Sequence, residues 1–359
     1  MGSDRRKTMA EIARTAGISP ATVSRVFHGS PNVSRRTRQV VAGTLRQFGY
    51  QPIDPYSTHA FHQRRLIGLV LSDIANPVHA DIAAAVVEKA RALGYSVVLC
   101  NTDNMRHLEI EYIESLRAQA VDGIVLATAT LDDTAVEELV TSGYPCILLN
   151  RRLRSGRGHY VGMDHARAAL EITRHLISLR HRRIGFITGP QDISSATERL
   201  EGYRLALQEA DLPYEPRLVH HGEFRPRETL PATALLLKNP DPPSAIIATG
   251  DQMALAVIQS ATELGLQIPR DLAVAGFDDI DVAGHPHIAL TTVAQPKGLL
   301  GQLATLLLVE VIQHPEKFVE NPIQKLIAPT LIIRRTCGAR AAYFSNSGSA
   351  EALAPAACR

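Results

Sequence analysis

The chain has 359 residues, room for two or three domains, and 45% apolar with 21% charged residues is the balance of a globular protein with a sizeable core. Net charge is only +2, but residues 1–65 carry 11 Lys and Arg against 3 Asp and Glu, so a local charge of +8 is joined to a remainder of −6. That asymmetry argues for a phosphate-binding first segment. Membrane and export classes are excluded: the most apolar helix candidate, GLLGQLATLLLVEVI, is short and broken by Gln302 and Glu310, no apolar leader precedes residue 8, and Arg6 spoils a myristoylation signal.

The first element begins at Thr8, three residues ahead of Glu11, the spacing at which a hydroxyl and a carboxylate cap a helix start. Gly17 suits the left-handed residue that ends such a helix, and Ser19 followed by Pro20 opens a second. Ile12, Ala16, Ile18, Val23 and Val26 fall where two steeply crossing helices would bury them, and Ala13 is small where the crossing is closest. The pattern predicts a helix-turn-helix. Ser19, Pro20, Ala21, Ser24 and Arg25 stay outward, side chains that let a helix start lie against base edges in a major groove. A third helix is expected from Ser34 to Phe48, burying Val40, Val41, Leu45 and Phe48 and turning Arg35, Arg36, Arg38 and Arg46 toward phosphates.

The stretch ISPATVSRVFHGSPNVSRRTRQVVAGTLRQFGY closely resembles the lactose and galactose repressor family of bacterial transcriptional regulators. The resemblance implies a homodimer on double-stranded operator DNA. Its expected contacts are Thr8, Ser19, Pro20, Ala21, Thr22, Ser24, Arg25, Asn32, Ser34, Arg35 and Tyr50. Residues 51–65 read as the hinge, and here the chain departs from the family: where a short hinge helix carries Asn, Ala-Arg and a minor-groove leucine, this sequence has Ile53, Tyr56, Ser57 and His59, with Pro55 in the way. Asp54 and Pro55 could start a later helix that places Phe61 as the wedge, with Arg64 and Arg65 on adjacent phosphates; a flexible connector is the competing reading.

From Leu66 short apolar runs (LIGLVL, YSVVLC, DGIVLA, CILLN) alternate with amphipathic stretches 77–93, 107–119 and 134–142. The alternation restarts at RIGFITG and continues through helix 199–210, strands 217–220 and 245–249, helix 251–264 and strand 272–277. Two doubly wound parallel lobes are expected, the chain crossing between them near Met163, Leu290 and Gln324, with ligands bound beyond the carboxyl ends of the strands. SDIANP, VGMDHARAA, RRIGFITGP, RLEGYRLAL, TGDQMALA, LAVAGFDD and LTTVAQP resemble segments of the same family's effector domain, itself similar to periplasmic sugar-binding proteins. The resemblance implies ligand contacts at Asp73, Asn76, Ser195, Arg199, Phe224 and Asp278, with Arg151 and Arg152 on the cleft side. It also implies a small effector such as a sugar or sugar acid. Gly250-Asp251 replaces the family's frequent Asn-Asp, so one polar contact is expected to be missing.

Helix 297–313 is apolar enough either to be a buried layer helix or to join a dimer face. Cys100, Cys146, Cys337 and Cys358 are widely spaced, which points to reduced thiols in the cytoplasm and to no zinc site. No phosphate-binding loop, GxSxG elbow, HExxH or GxGxxG is present; His285 and His287 read as loop histidines, and the carboxylates of FDDID suit a polar ligand better than a metal. The expected organisation is a headpiece at 1–50, a hinge at 51–65, a two-lobed effector and dimerisation body at 66–337 and a disordered tail at 338–359. It describes a cytoplasmic, cofactor-free regulator, not an enzyme. The competing class is a small-molecule binding protein or enzyme with a vestigial headpiece.

Overall fold

The computed structural model describes residues 8–27, 33–48, 65–318 and 322–339. The chain divides into two compact units. In the first, α1 (Met9–Ala16), α2 (Pro20–Phe27) and α3 (Arg35–Gln47) follow the spacing of their caps. The Glu11 carboxylate accepts from the Thr8 backbone N–H at 2.7 Å and from its hydroxyl at 3.0 Å. Gly17 ends α1 at φ 64°, and the Ile18 N–H reaches back to the Ala13 carbonyl, a left-handed stop that costs glycine nothing. Ser19 and Ser34 accept from the backbone N–H of Thr22 and Thr37.

Ile12, Ala13, Val23, Val26, Val41 and Leu45 form the headpiece core, with Ile18, Phe27 and Phe48 packed at its edge. Two expectations for α3 fail. Val40 is 48% exposed, whereas Arg38 is buried. The reason is helical phase: Arg38 lies three residues before Val41 and seven before Leu45, on the same stripe, and an arginine stem can line an apolar face. Asn32, Tyr50, Phe61, nearly all of the hinge and the chain beyond residue 339 lie outside the described residues, as does the Arg35 side chain.

The second unit runs β1 (Leu66–Leu71), α4 (Pro77–Ala92), β2 (Ser96–Asn101), α5 (Arg106–Ala118), β3 (Gly123–Ala127), α6 (Thr134–Thr141), β4 (Cys146–Leu149) and β5 (His159–Met163). It continues with α7 (His165–Ser178), β6 (Ile184–Thr188), α8 (Ser194–Glu209), β7 (Val219–His221), α9 (Pro226–Leu237), β8 (Ala245–Ala248), α10 (Asp251–Glu263) and β9 (Ala273–Asp278). Last come β10 (Thr291–Ala294), α11 (Lys297–Gln313), β11 (Gln324–Ile327) and β12 (Thr330–Ile332). One sheet has the order β11-β5-β4-β3-β1-β2, the other β12-β10-β9-β8-β6-β7. All pairings are parallel except β10 with β12.

Strands buried on both faces explain the near-continuous apolar runs of β1, β3, β4, β6 and β8. The chain crosses between lobes after Met163, and again a few residues later than Leu290 and Gln324. β10 stays paired with β9 as far as Ala294 opposite Asp278, and β11 with β5 as far as Ile327 opposite Met163. α8 begins at Ser194, which places Arg199 in its second turn. α11 buries Leu300, Ala304, Leu307, Leu308, Val311 and Ile312 within its own lobe as a layer helix does, while Leu299 is exposed and Leu303 and Leu306 are half-buried. Among the described residues no helix is long and apolar enough to cross a membrane.

Candidate functional site

On the headpiece, Ser19, Pro20, Ala21 and Arg25 are exposed along the start and outer face of α2, with Thr22 and Ser24 half-buried beside them. Thr8, Ser34 and Arg36 are exposed at the neighbouring helix starts. Small side chains at the start of α2 and one long cation further along leave this surface open to a groove.

In the body, Asp73, Asn76, Ser195, Arg199, Phe224 and Asp278 all line one deep cavity of about 70 Å³ between the lobes. Asp73 follows β1, and its carboxylate accepts from the Ala75 N–H at 2.9 Å while its carbonyl receives His79 Nδ1 at 2.8 Å. Burial, reinforced by the charge of Arg151, lowers the His79 pKa to about 4, so this imidazole is neutral. Asn76 Oδ1 caps α4 through the Val78 N–H.

Arg199 is buried with its guanidinium 4.6 Å above the Phe277 ring, donating to the Thr249 carbonyl and to His165 Nδ1 at 3.3 Å. Burial lowers its pKa and the Asp278 charge opposes that shift; burial raises the Asp278 pKa in turn, with Arg199 opposing. Asp278 Oδ1 accepts from the Gln295 amide, whose oxygen accepts from Asn150 Nδ2 at 2.9 Å. Asn150, Gln295 and Asp278 thus form a polar chain through the segment where the lobes join. Sequence reasoning missed Gln295, Asn150 and His165 as site residues, although Asn150 and Gln295 end the runs CILLN and LTTVAQ.

Asp278 sits at φ 113° and Asp279 at φ 51°, conformations that L-residues rarely adopt. The loop is over-determined. Lys297 Nζ donates to the Asp279 carbonyl at 2.9 Å, Arg334 pairs with Asp279 at 2.7 Å, and Asp251 accepts from the Ile280 N–H at 3.0 Å. Asp251 is fully buried, so its carboxyl supports the Asp278 loop. A Cβ at Gly276 would lie 2.3 Å from Asp251 Oδ1, which is why glycine stands there. Position 250 offers no side chain, and a Cβ there would lie 3.5 Å from Asp278 Oδ2.

A second, wider cavity of about 440 Å³ adjoins the first, sharing Ser72, Asn104, Arg151, Glu223, Phe224 and Arg225 with it. It is built largely by the loops after β2 and β3, which the sequence reading did not single out. Arg151 is buried and donates to Ser72 Oγ at 3.1 Å, the Thr128 carbonyl at 3.3 Å and Asn104 Oδ1 at 3.4 Å. Burial lowers its pKa to about 10. Glu109 is pushed up to about 8, first by burial and then by the neighbouring Asp133, which is itself held by the Val136 N–H at the start of α6. Arg225 and Asp103 form a 2.7 Å ion pair from opposite lobes, and the Leu131 N–H donates to the Asp192 carbonyl at 2.6 Å. Arg152 reaches Glu198 at 2.8 Å across the same divide. The lobes are closed on each other.

Residues 8–52 match the model for bacterial regulatory proteins of the lacI family, and residues 173–337 match that for a periplasmic binding protein-like domain. Catabolite control protein A of Priestia megaterium is 31% identical over 320 residues, covering 89% of this chain and 96% of the relative. The transcriptional repressor PurR of Haemophilus influenzae is 30% identical over 331 residues, covering 92% and 98%. A solved complex of the transcriptional regulator CelR with cellobiose is 32% identical, with a TM-score of 0.69 over 92% of this chain and all of that one. The chain therefore belongs to the lacI family of bacterial regulatory proteins: it is a DNA-binding transcriptional regulator with a periplasmic-binding-protein-like effector domain.

Proposed function

We propose that this regulator grips a pseudo-palindromic operator as a homodimer through Arg25 and the start of α2, and that a small polyhydroxylated effector held between the lobes sets its operator affinity. The protein works in the cytoplasm, where its DNA is, and its cleft binds without catalysing. The observation that carries the effector reading is convergence: six residues spread from position 73 to position 278 line one buried polar cavity. Relatives support the chemical class, since the solved CelR neighbour is a complex with cellobiose and the relative from Halalkalibacterium halodurans is a ribose operon repressor.

A neutral polyol fits the cleft better than a sugar acid. Asp73 and Asp278 line it as acceptors that an anion would face, and the Asp278 charge offsets that of the buried Arg199. The test is a thermal-shift screen of the full chain against neutral sugars, sugar acids and nucleosides, followed by operator binding with each hit. A neutral sugar that raises the melting temperature and changes operator affinity is expected; stabilisation by sugar acids alone would reverse the assignment. Sedimentation of residues 63–337 at micromolar concentration should give a dimer, and a monomer would refute dimerisation through the body.

A further inference from the structure

We infer that Lys297 is a positioning residue that makes the presentation of Asp278 depend on how the two lobes pack: its ammonium, carried by the first lobe, holds the strained turn of the second. Its weight for regulation rests on the effector reading above, in which Asp278 contacts the ligand.

The chain path sets this geometry. Gln295, Pro296 and Lys297 follow β10 and open α11, so three consecutive residues carry the chain from the second lobe into the first. α11 packs on α4, β3, β4 and β5, all of the first lobe. Its contact with α4 leaves no play, since a Cβ at Gly301 would lie 2.8 Å from the Ile82 carbonyl oxygen and 2.8 Å from the Ala85 methyl. α4 and α11 therefore move as one body, and Lys297 in the first turn of α11 moves with them.

The Lys297 side chain is only 13% exposed, and an ammonium has three protons to place. One points to the first lobe, where Asp81 Oδ2 on α4 lies 3.1 Å away. The others point to the second lobe, to the Asp279 carbonyl at 2.9 Å and the Asp278 carbonyl at 3.4 Å. Arg334 and Asp251 hold the same turn from within the second lobe, through the Asp279 carboxylate and the Ile280 N–H. Positive φ at both Asp278 and Asp279 persists only while the surroundings impose it. When the first lobe swings away with α4 and α11, two carbonyls of the turn lose their shared donor, and the Asp278 carboxylate is released from the cavity it lines. By linkage, a ligand that fixes Asp278 tightens the grip and favours the packed lobes.

The test is hydrogen–deuterium exchange of the full chain, read on peptides covering residues 276–284, with Lys297→Met and Asp81→Ala. Both changes lie in the first lobe, and Asp81 is exposed on α4 outside both cavities, so it keeps the test decisive if Lys297→Met fails to fold. Exchange at the second-lobe turn should rise about fivefold or more in Lys297→Met and about twofold in Asp81→Ala, with β6 and β8 unchanged. Lys297→Arg, which keeps the charge and the donors, should restore most of the protection. Unchanged exchange at the turn in both variants, or a rise spread equally over β6 and β8, would overturn the assignment. Cellobiose and ribose, added to wild type, test the effector reading separately: sugars that alter neither turn exchange nor operator affinity would count against that reading and leave the Lys297 grip standing.

Discussion

Asp251 and Thr292, 41 positions apart, meet at 2.6 Å in the core of the second lobe, and the other Asp251 oxygen takes the Ile280 N–H. The bond ties the start of α10 to β10 and fixes the strained turn that presents Asp278. Asp251→Ala would leave a buried hydroxyl and a buried N–H without partners, at about 1–3 kcal/mol each. The expected result is a loss of about 2–4 kcal/mol in denaturant unfolding, with effector binding weakened as well; a loss under about 0.5 kcal/mol would mean that the loop does not depend on this carboxyl.

Glu109 gives a pH signature with a defined sign. Its folded pKa of about 8 lies above the usual carboxylate value of 4.5, so the folded protein binds more protons than the unfolded chain between those limits. Its contribution is fully present below about pH 4.5 and is lost as pH rises toward 8. Glu109→Gln removes the titrating group, so the melting temperature of the variant relative to wild type should rise steadily from pH 5 to pH 8. A difference that stays flat across that window would show that Glu109 ionises normally.

Arg25 is exposed on the outer face of α2. Its replacement by alanine should cost about 1–3 kcal/mol on the operator and far less on random DNA of equal length. Equal losses on both, measured at one salt concentration, would make it a phosphate contact only.

The headpiece was legible because its signals are local. Thr8 with Glu11, Gly17 and Ser19-Pro20 each act within four residues, and they mark α1 and α2 nearly to the residue. Val40 and Arg38 were misplaced because a stripe estimated from apolar letters alone overlooked an arginine that shares its phase. In the body, the alternation of apolar runs located the strands, and the resemblance brought together six residues that do line one cavity. The outer compartment was not legible: Glu109 lies on an ordinary amphipathic helix and Asp133 in a capping position, and only tertiary packing makes them neighbours. Asp251 was similarly ambiguous, since nothing local to TGDQMALA distinguishes a ligand contact from a support for a loop 27 residues away.

We propose a coupling between the effector cleft and the DNA-binding headpiece within one molecule. It is tested most directly by fluorescence anisotropy of a labelled fragment from upstream of the coding region, titrated with full-length protein with and without the best-binding sugar. Wild type should change its operator affinity by about 5- to 150-fold on adding sugar, the range of ordinary allosteric coupling. Asp278→Asn should keep its sugar-free affinity and lose most of that change; an operator affinity indifferent to every sugar, or an Asp278→Asn variant that responds like wild type, would contradict the account.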